Sequence, residues 1–295
     1  MSTGTCYGFA VDSALDLAYL RTGGVGTRLE IAVNAAEPEW SDEDRILEWN
    51  GAFEAQLYGR GNRFALWAQH AGWFGVDTTV PRIEVSVSRD ALRREERLWG
   101  IPALLCFAAR GDLPLHAAAV DVDGEAIVVA APGAFGKTTL AAGFVALGHR
   151  LLAEDLTCVS QSDGPAVVPG PAMLRLRRDV AERLEVPGTE VVGADPERIH
   201  LALERSRRGD CTPVPLRAIV VLDTADAGAA FRPVEPADAI RDLLALSFRL
   251  PTAAALGDAF RSVAALVRDV PVVRVARPER LEDLPATAER ILRHA

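Results

Sequence analysis

Lys137 is the only lysine among the 32 basic residues of the 295-residue chain. It lies in Ala131-Pro132-Gly133-Ala134-Phe135-Gly136-Lys137-Thr138, which fits the relaxed phosphate-binding pattern Ala/Gly-x-x-x-x-Gly-Lys-Ser/Thr. In such a cradle the two cations are not equivalent, because a compact ammonium on a flexible stem fits where a planar guanidinium would crowd the backbone. The chemistry implied is the handling of a nucleoside triphosphate. Backbone N–H groups of Gly133, Ala134, Phe135 and Gly136, with Lys137, Thr138 and Thr139 at the helix start, would surround the phosphates. Lys137 would reach the β- and γ-phosphates, and the Thr138 hydroxyl would hold Mg²⁺. A second acidic element follows in Glu154-Asp155. There a carboxylate can serve a hydrated cation or take a proton from an attacking hydroxyl. His116, in Leu115-His116-Ala117-Ala118-Ala119, reads by itself as a satisfied core side chain.

These residues need a strand, a glycine-bearing turn and a helix in that order. The apolar run 124–131 is a buried strand, and 137–147 has a helical pattern closed by Gly148. Arg150 to Ala153 resumes as a strand that runs into Glu154-Asp155, with 156–159 extended. Further strands are expected at 216–222 and 270–275, and helices at 236–247, 252–268 and 285–293. Residues 187–208, rich in Gly, Asp, Arg and Ser, read as a long loop. Upstream, 1–112 holds all five tryptophans (Trp40, Trp49, Trp67, Trp73 and Trp99) and short alternating stretches typical of half-buried strands. One helix is expected from about Ser88 or Asp90 to Ala109, kinked or divided at Pro102. The chain therefore divides into a small β-rich unit with a connecting helix, 1–112, and an α/β unit, 113–295.

The bulk composition restricts the partners. A net charge of −9 argues against nucleic acid or an anionic membrane. The Arg-rich pieces Arg93-Arg94-Glu95-Glu96-Arg97 and Arg205-Ser206-Arg207-Arg208 are short, mixed in sign and read as solvated surface. Cys6, Cys106, Cys158 and Cys211 are widely spaced and read as reduced thiols. No secretory pattern opens the sequence and no apolar run approaches a membrane span, so a cytoplasmic protein is expected.

The run 113–159 resembles the kinase core of the HPr serine kinase family. The family's order of features is present: a His on the entering strand, a short hairpin, the loop, Gly148-His149-Arg150 at the helix end, and the tandem acids. The resemblance continues loosely through Pro215 to Leu222 and Val270 to Arg274. It implies a compact α/β core similar to that of phosphoenolpyruvate carboxykinases, using ATP and Mg²⁺ to phosphorylate a serine hydroxyl. It makes Glu154 the base near His116, Asp155 a metal ligand with Thr138, and Arg198 a cation reaching the transferred phosphoryl group. The chain departs from the family at Ala131 and Ala134, where Gly is usual, and at Glu154, where Asp is usual. The signature that accompanies reverse phosphorylase activity is missing, so HPr itself is not the expected substrate. The layout is more similar to a divergent branch associated with lasso-peptide and other ribosomal-peptide pathways, whose members phosphorylate the terminal serine of a precursor peptide. The expected partners are a nucleoside triphosphate and a peptide or protein bearing a Ser hydroxyl, with a homo-oligomer possible. A small-molecule kinase of the same fold and a non-catalytic nucleotide-binding regulator are the alternatives.

Overall fold

The computed structural model describes residues 1–34, 39–51, 53–88, 90–224, 231–278 and 280–295. Among them, the strands fall in three sheets. The first sheet uses β1 (Ser2–Cys6), β2 (Phe9–Ser13), β3 (Thr27–Val33), β4 (Arg45–Asn50), β5 (Glu54–Arg60), β6 (Arg63–Ala68), β7 (Gly72–Asp77) and β8 (Arg82–Val85). Their spatial order is β1-β2-β3-β8-β7-β6-β5-β4, with β3 parallel to both β2 and β8. Alternation sets the face each side chain takes. Leu29 and Ile31 point into the core, whereas Arg28 and Glu30 pair with Asp12 and Arg82 on the outside.

The helix expected to be kinked or divided at Pro102 is divided, into α1 (Ala91–Leu98) and α2 (Ile101–Ala109). Asp90 caps α1 by accepting from the Arg93 N–H at 2.9 Å. The break falls at Trp99-Gly100, just ahead of Pro102, because a proline has no N–H to return to the preceding turn but is tolerated in a helix's first turn.

The central sheet follows, from β9 (Leu113–Leu115), β10 (Ala117–Val122), β11 (Glu125–Ala130), then α3 (Lys137–Ala146), β12 (Arg150–Ala153), β13 (Thr157–Ser160) and β14 (Ala166–Val168). A three-stranded antiparallel sheet is formed by β15 (Met173–Arg177), β16 (Thr189–Ala194) and β17 (Arg198–Leu203), with the single turn α4 (Arg178–Ala181) between the first two. The hairpin of β16 and β17 corrects the expected long loop over 187–208. Asp195 closes it by accepting from the N–H groups of Glu197 and Arg198, both at 2.8 Å. The chain ends with β18 (Val214–Asp223), β19 (Arg232–Pro233), α5 (Pro236–Ala245), α6 (Ala253–Asp269), β20 (Val272–Ala276) and α7 (Leu284–His294).

Strands β11, β18 and β20 run parallel side by side, buried on both faces. Ile127 and Val129 of β11 pack toward α3 and α7 with Phe144, Leu284 and Ile291. Val128 and Ala130 pack the other way, toward Leu243 and Leu266 of α5 and α6. Near-continuous apolar runs in these strands are what a double-faced parallel sheet requires. The first sheet docks directly on this body: Tyr7, Phe9, Leu57 and Phe107 share a core with Cys158, Val168, Met173 and Ala202. Arg21, 1% exposed, ties the two by donating from Nε to the Gly170 carbonyl at 2.6 Å and from one terminal nitrogen to those of Leu151 and Leu152 at 2.8 and 2.9 Å. All four cysteines are buried free thiols. No helix among the described residues is long and apolar enough to cross a membrane.

Candidate active site

Strand β11 delivers the chain into the loop 131–136, and α3 begins directly after it. Gly136 has φ +91° and Ala134 φ +60°, so two nearly adjacent residues take the left-handed region. Alternation of this kind turns successive N–H groups toward one side, the geometry of an anion-binding nest. Gly136 caps α3 with no side-chain hydrogen bond, which leaves the first-turn N–H groups facing the loop's concavity. Lys137 is 4% exposed. Its Nζ donates to the carbonyls of Ala131 (2.9 Å) and Pro132 (3.1 Å) and to His116 Nε2 (2.9 Å). Burial lowers the Lys137 pKa, opposed by Asp155 and Glu154.

The third ammonium contact assigns the His116 tautomer. If Nε2 accepts from Lys137, then Nδ1 carries the proton, which it donates to the Asp155 carbonyl at 3.2 Å. Burial lowers the pKa of this imidazole, against the pull of Asp155, which is consistent with the neutral form.

Strand β12 ends at Ala153, and the two acids after it diverge. Asp155 has φ +66°, a left-handed turn that sends consecutive side chains into different surroundings. Glu154 is 2% exposed. It accepts from the Thr138 hydroxyl at 2.7 Å and from Arg175 Nε at 2.9 Å. Burial pushes its carboxyl pKa up, with Arg175 pulling against that. Asp155 stays partly open; one oxygen lies 3.5 Å from His116 Nδ1 and the other 3.1 Å from an Arg175 terminal nitrogen. Burial opposes its ionisation, but Arg175, His116 and Lys137 outweigh it and hold the carboxyl below its ordinary value. The acid beside His116 is therefore Asp155, not Glu154 as expected from the sequence.

Three residues of the site, Arg175, Glu96 and Arg97, escaped the sequence reading. Arg175, on β15, is 9% exposed and binds Glu154, Asp155 and Glu96 at once. Glu96 arrives from α1, so the upstream half of the chain supplies a charged group to this cluster. The segment 93–97, expected as solvated surface, instead turns Glu95 and Glu96 inward. Glu95 accepts from the N–H groups of Ala18 (2.7 Å) and Tyr19 (2.9 Å) and from the Trp99 indole (3.2 Å). Arg97, beside it, sits with its guanidinium 4.0 Å from the Phe53 ring centroid. A helix face of mixed charge looks alike in sequence whether it meets water or a buried cation; only the Leu174-Arg175-Leu176 alternation marks Arg175 as unusual.

Two clefts meet at this cluster, and Asp155 and Arg175 line both. One, of about 520 Å³, is polar and cationic. Lys137, Arg175, Arg177, Arg183, Arg198, Arg277 and Arg280 border it against Asp155, Asp179 and Glu282. That excess of positive charge in a chain of net charge −9 suits a polyanion. Of the expected phosphate contacts, Ala134, Phe135, Gly136, Lys137, Thr138 and Thr139 line this cleft, as does Arg198; Gly133 does not. Arg277 stacks on the Phe135 ring at 5.0 Å. The other cleft, of about 280 Å³, is apolar and reaches His116, Glu154 and Asp155 from the side of the first sheet. Trp49 and Trp99 line it, whereas Trp40 and Trp73 flank Tyr58 elsewhere.

No protein-family model matches the sequence, and no curated protein matches it. Among solved structures, the chain is similar to the Hpr(Ser) kinase/phosphatase from Coxiella burnetii, at 11% identity and a TM-score of 0.33, over 61% of this chain and 93% of that one. A likeness this slight leaves function to be argued from the geometry of the site.

Proposed function

We propose that the chain is a Mg-ATP-dependent kinase that phosphorylates a serine-type hydroxyl, its 113–295 portion forming a phosphate-loop core of the HPr kinase type and its 1–112 portion a β-rich unit that helps to receive the acceptor. The observation that carries this reading is the meeting of two unlike clefts at Asp155 and Arg175, one cationic and built around Lys137, the other apolar.

The donor set fits Mg²⁺. Thr138 offers a hydroxyl oxygen, and the acids nearby are carboxylates, the hard ligands this ion takes. Bound there, the cation would offset charge developing on the phosphate oxygens. Thr138 would hold it: its O–H proton is committed to Glu154, which leaves the oxygen lone pairs free to coordinate. Lys137 and the α3 N–H groups would position the triphosphate, and Arg198 and Arg175 would stabilise charge near the transferred group. Asp155, facing both clefts, would accept the proton of the attacking hydroxyl. The geometry thus favours Asp155, rather than the Glu154 of the family resemblance, as the base, because both Glu154 oxygens are engaged by Thr138 and Arg175. A weakly basic carboxylate suffices, because phosphoryl transfer depends mainly on positioning and charge stabilisation.

The sequence resemblance supports a peptide or protein acceptor, with the terminal serine of a ribosomally made precursor as its narrowest form. The size of the apolar cleft supports a second reading, a kinase acting on a small molecule. The central test is Lys137→Ala with labelled ATP. Transfer should fall by about 10²–10³-fold or more, the range for removing one pre-organised charge donor, with the circular-dichroism spectrum of the folded chain retained. A variant that transfers at the parent rate would remove the basis of the assignment.

A further inference from the structure

Helix α1 faces two ways. Glu95 ties one side of it to the first sheet through the N–H groups of Ala18 and Tyr19, while the other side rests on the three-stranded sheet. There Leu92 packs so close to β16 that a Cβ on Gly193 would lie 2.8 Å from it, and Arg93 stands 3.6 Å from Asp195. One turn on, Glu96 reaches Arg175. Asp195 also lies 3.1 Å from His200 Nε2, and His200 stands directly opposite Arg175 in the register of β15 and β17. The Arg175 guanidinium is thus fixed at three corners by three carboxylates. Its Nε donates to Glu154 at 2.9 Å, one terminal nitrogen to Asp155 at 3.1 Å, and the other to Glu96. Burial opposes the ionisation of Glu96, whose side chain is 8% exposed, but Arg175, Arg97 and His200 outweigh burial and hold the carboxyl below its ordinary value.

The third corner governs what the other two can do. A guanidinium beside a partly open carboxylate tends to pair with it fork to fork, through two parallel N–H···O bonds. Glu154 takes Nε, so the fork left to Asp155 is the pair of terminal nitrogens, and Glu96 holds one of them. Asp155 therefore receives a single N–H from Arg175 and keeps its second oxygen on the His116 side, 3.5 Å from Nδ1. We propose that Glu96 is a positioning residue for phosphoryl transfer: from the upstream half of the chain it draws Arg175 away from full pairing with Asp155, so that Asp155 can take the proton of the acceptor hydroxyl. The inference rests on the kinase reading and makes the base depend on a residue outside 113–295. In the step served, the acceptor oxygen bonds to the γ-phosphorus, and the bond from that phosphorus to the β–γ bridging oxygen breaks. The hydroxyl proton passes to the Asp155 carboxylate, and Glu96 touches none of the reacting atoms.

The test uses the full chain, labelled ATP as donor, and two acceptor probes: water and a degenerate pool of serine-containing peptides. Glu96→Ala should lower kcat by about 10–10²-fold, the cost of a small misplacement in a pre-organised site, with nucleotide Kd and the KM for ATP within about twofold of the parent. Glu96→Gln keeps an oxygen facing Arg175 and should recover most of that loss. Glu95→Ala loosens the same helix from the first sheet; it should lower the urea midpoint and leave kcat near the parent value. A role confined to packing α1 would instead depress kcat in both alanine variants. One readout is independent of turnover. With Glu96 gone, Arg175 closes on Asp155, so Asp155→Asn should lower the urea midpoint further in the Glu96→Ala background than in the parent. The proposal is overturned if Glu96→Ala transfers at the parent rate, if Glu95→Ala loses as much kcat as Glu96→Ala, or if Glu96→Gln is no better than Glu96→Ala. It is also overturned if Asp155→Asn costs the same in both backgrounds. A parent protein that binds no nucleotide, or transfers to neither probe, would instead sink the kinase reading itself.

Discussion

Arg175→Met tests the charge cluster at its centre. The substitution keeps an unbranched apolar stem in the β15 pocket and removes the cation that Glu96, Glu154 and Asp155 share. Asp155, with a side chain 46% exposed, is rehydrated and contributes little to the loss. Glu96 and Glu154, at 8% and 1% side-chain exposure, cannot be. Removing one partner of a buried pair costs about 3–5 kcal/mol, because the charge left behind is uncompensated. For a chain of this length each kcal/mol is worth roughly 2 °C, so the melting temperature should fall by about 6–10 °C. Urea unfolding followed by circular dichroism and tryptophan fluorescence measures the free energy. Adding Glu154→Gln to the variant removes one stranded charge and should restore at least about 1 kcal/mol, a non-additivity expected of residues in one network. The reasoning is refuted if Arg175→Met unfolds at the parent's urea midpoint. It is equally refuted if Glu154→Gln costs as much in the variant as in the parent.

Three further outcomes follow from the same geometry. Asp155→Asn should lower phosphoryl transfer by about 10²–10⁴-fold, the range for losing a general base, with nucleotide affinity nearly unchanged in a binding titration; parent-level turnover would remove Asp155 from the mechanism. Burial raises the Glu95 pKa despite the three N–H groups it accepts from, so its stabilising contribution is complete below the unfolded carboxyl value and is lost as pH rises through the folded one. The stability of the parent minus that of Glu95→Gln should therefore fall as pH rises above 4.5 in urea titrations, and a difference that grows with pH would contradict this. Gly170→Ala would place its Cβ 2.6 Å from the Tyr7 ring, which is 1% exposed and cannot step aside. Overpacking of this kind should cost about 1–3 kcal/mol, and an unchanged urea midpoint would show that the Tyr7 pocket yields.

Much of this protein was legible in its residues. The order strand, loop, helix, strand and acid pair between 113 and 159 follows from local signals: apolar runs, Gly136 before the helix, Gly148 after it. The alternating strands of the first sheet follow from period-two patterning. Two placements differ from the local reading. Residues 187–208 carry alternation in Thr189–Ala194 and Arg198–Leu203 that polar and glycine content masked. The split of the expected helix lay two residues ahead of the proline that enforces it.

Local pattern by itself determined which segments become strands and helices and where a lone lysine meets a glycine turn, because those depend on neighbours within a few residues. The division of labour between Glu154 and Asp155 was beyond its reach. Adjacent acids are equivalent in sequence until a left-handed φ at Asp155 sends one into the core and leaves the other in the cleft. Arg175 and Glu96 stand 79 residues apart, and Arg97 acquires its meaning only where α1 lies beside the acid pair. A charge on a helix face is solvated or decisive according to what packs against it, and packing is the part of the problem that only the tertiary structure decides.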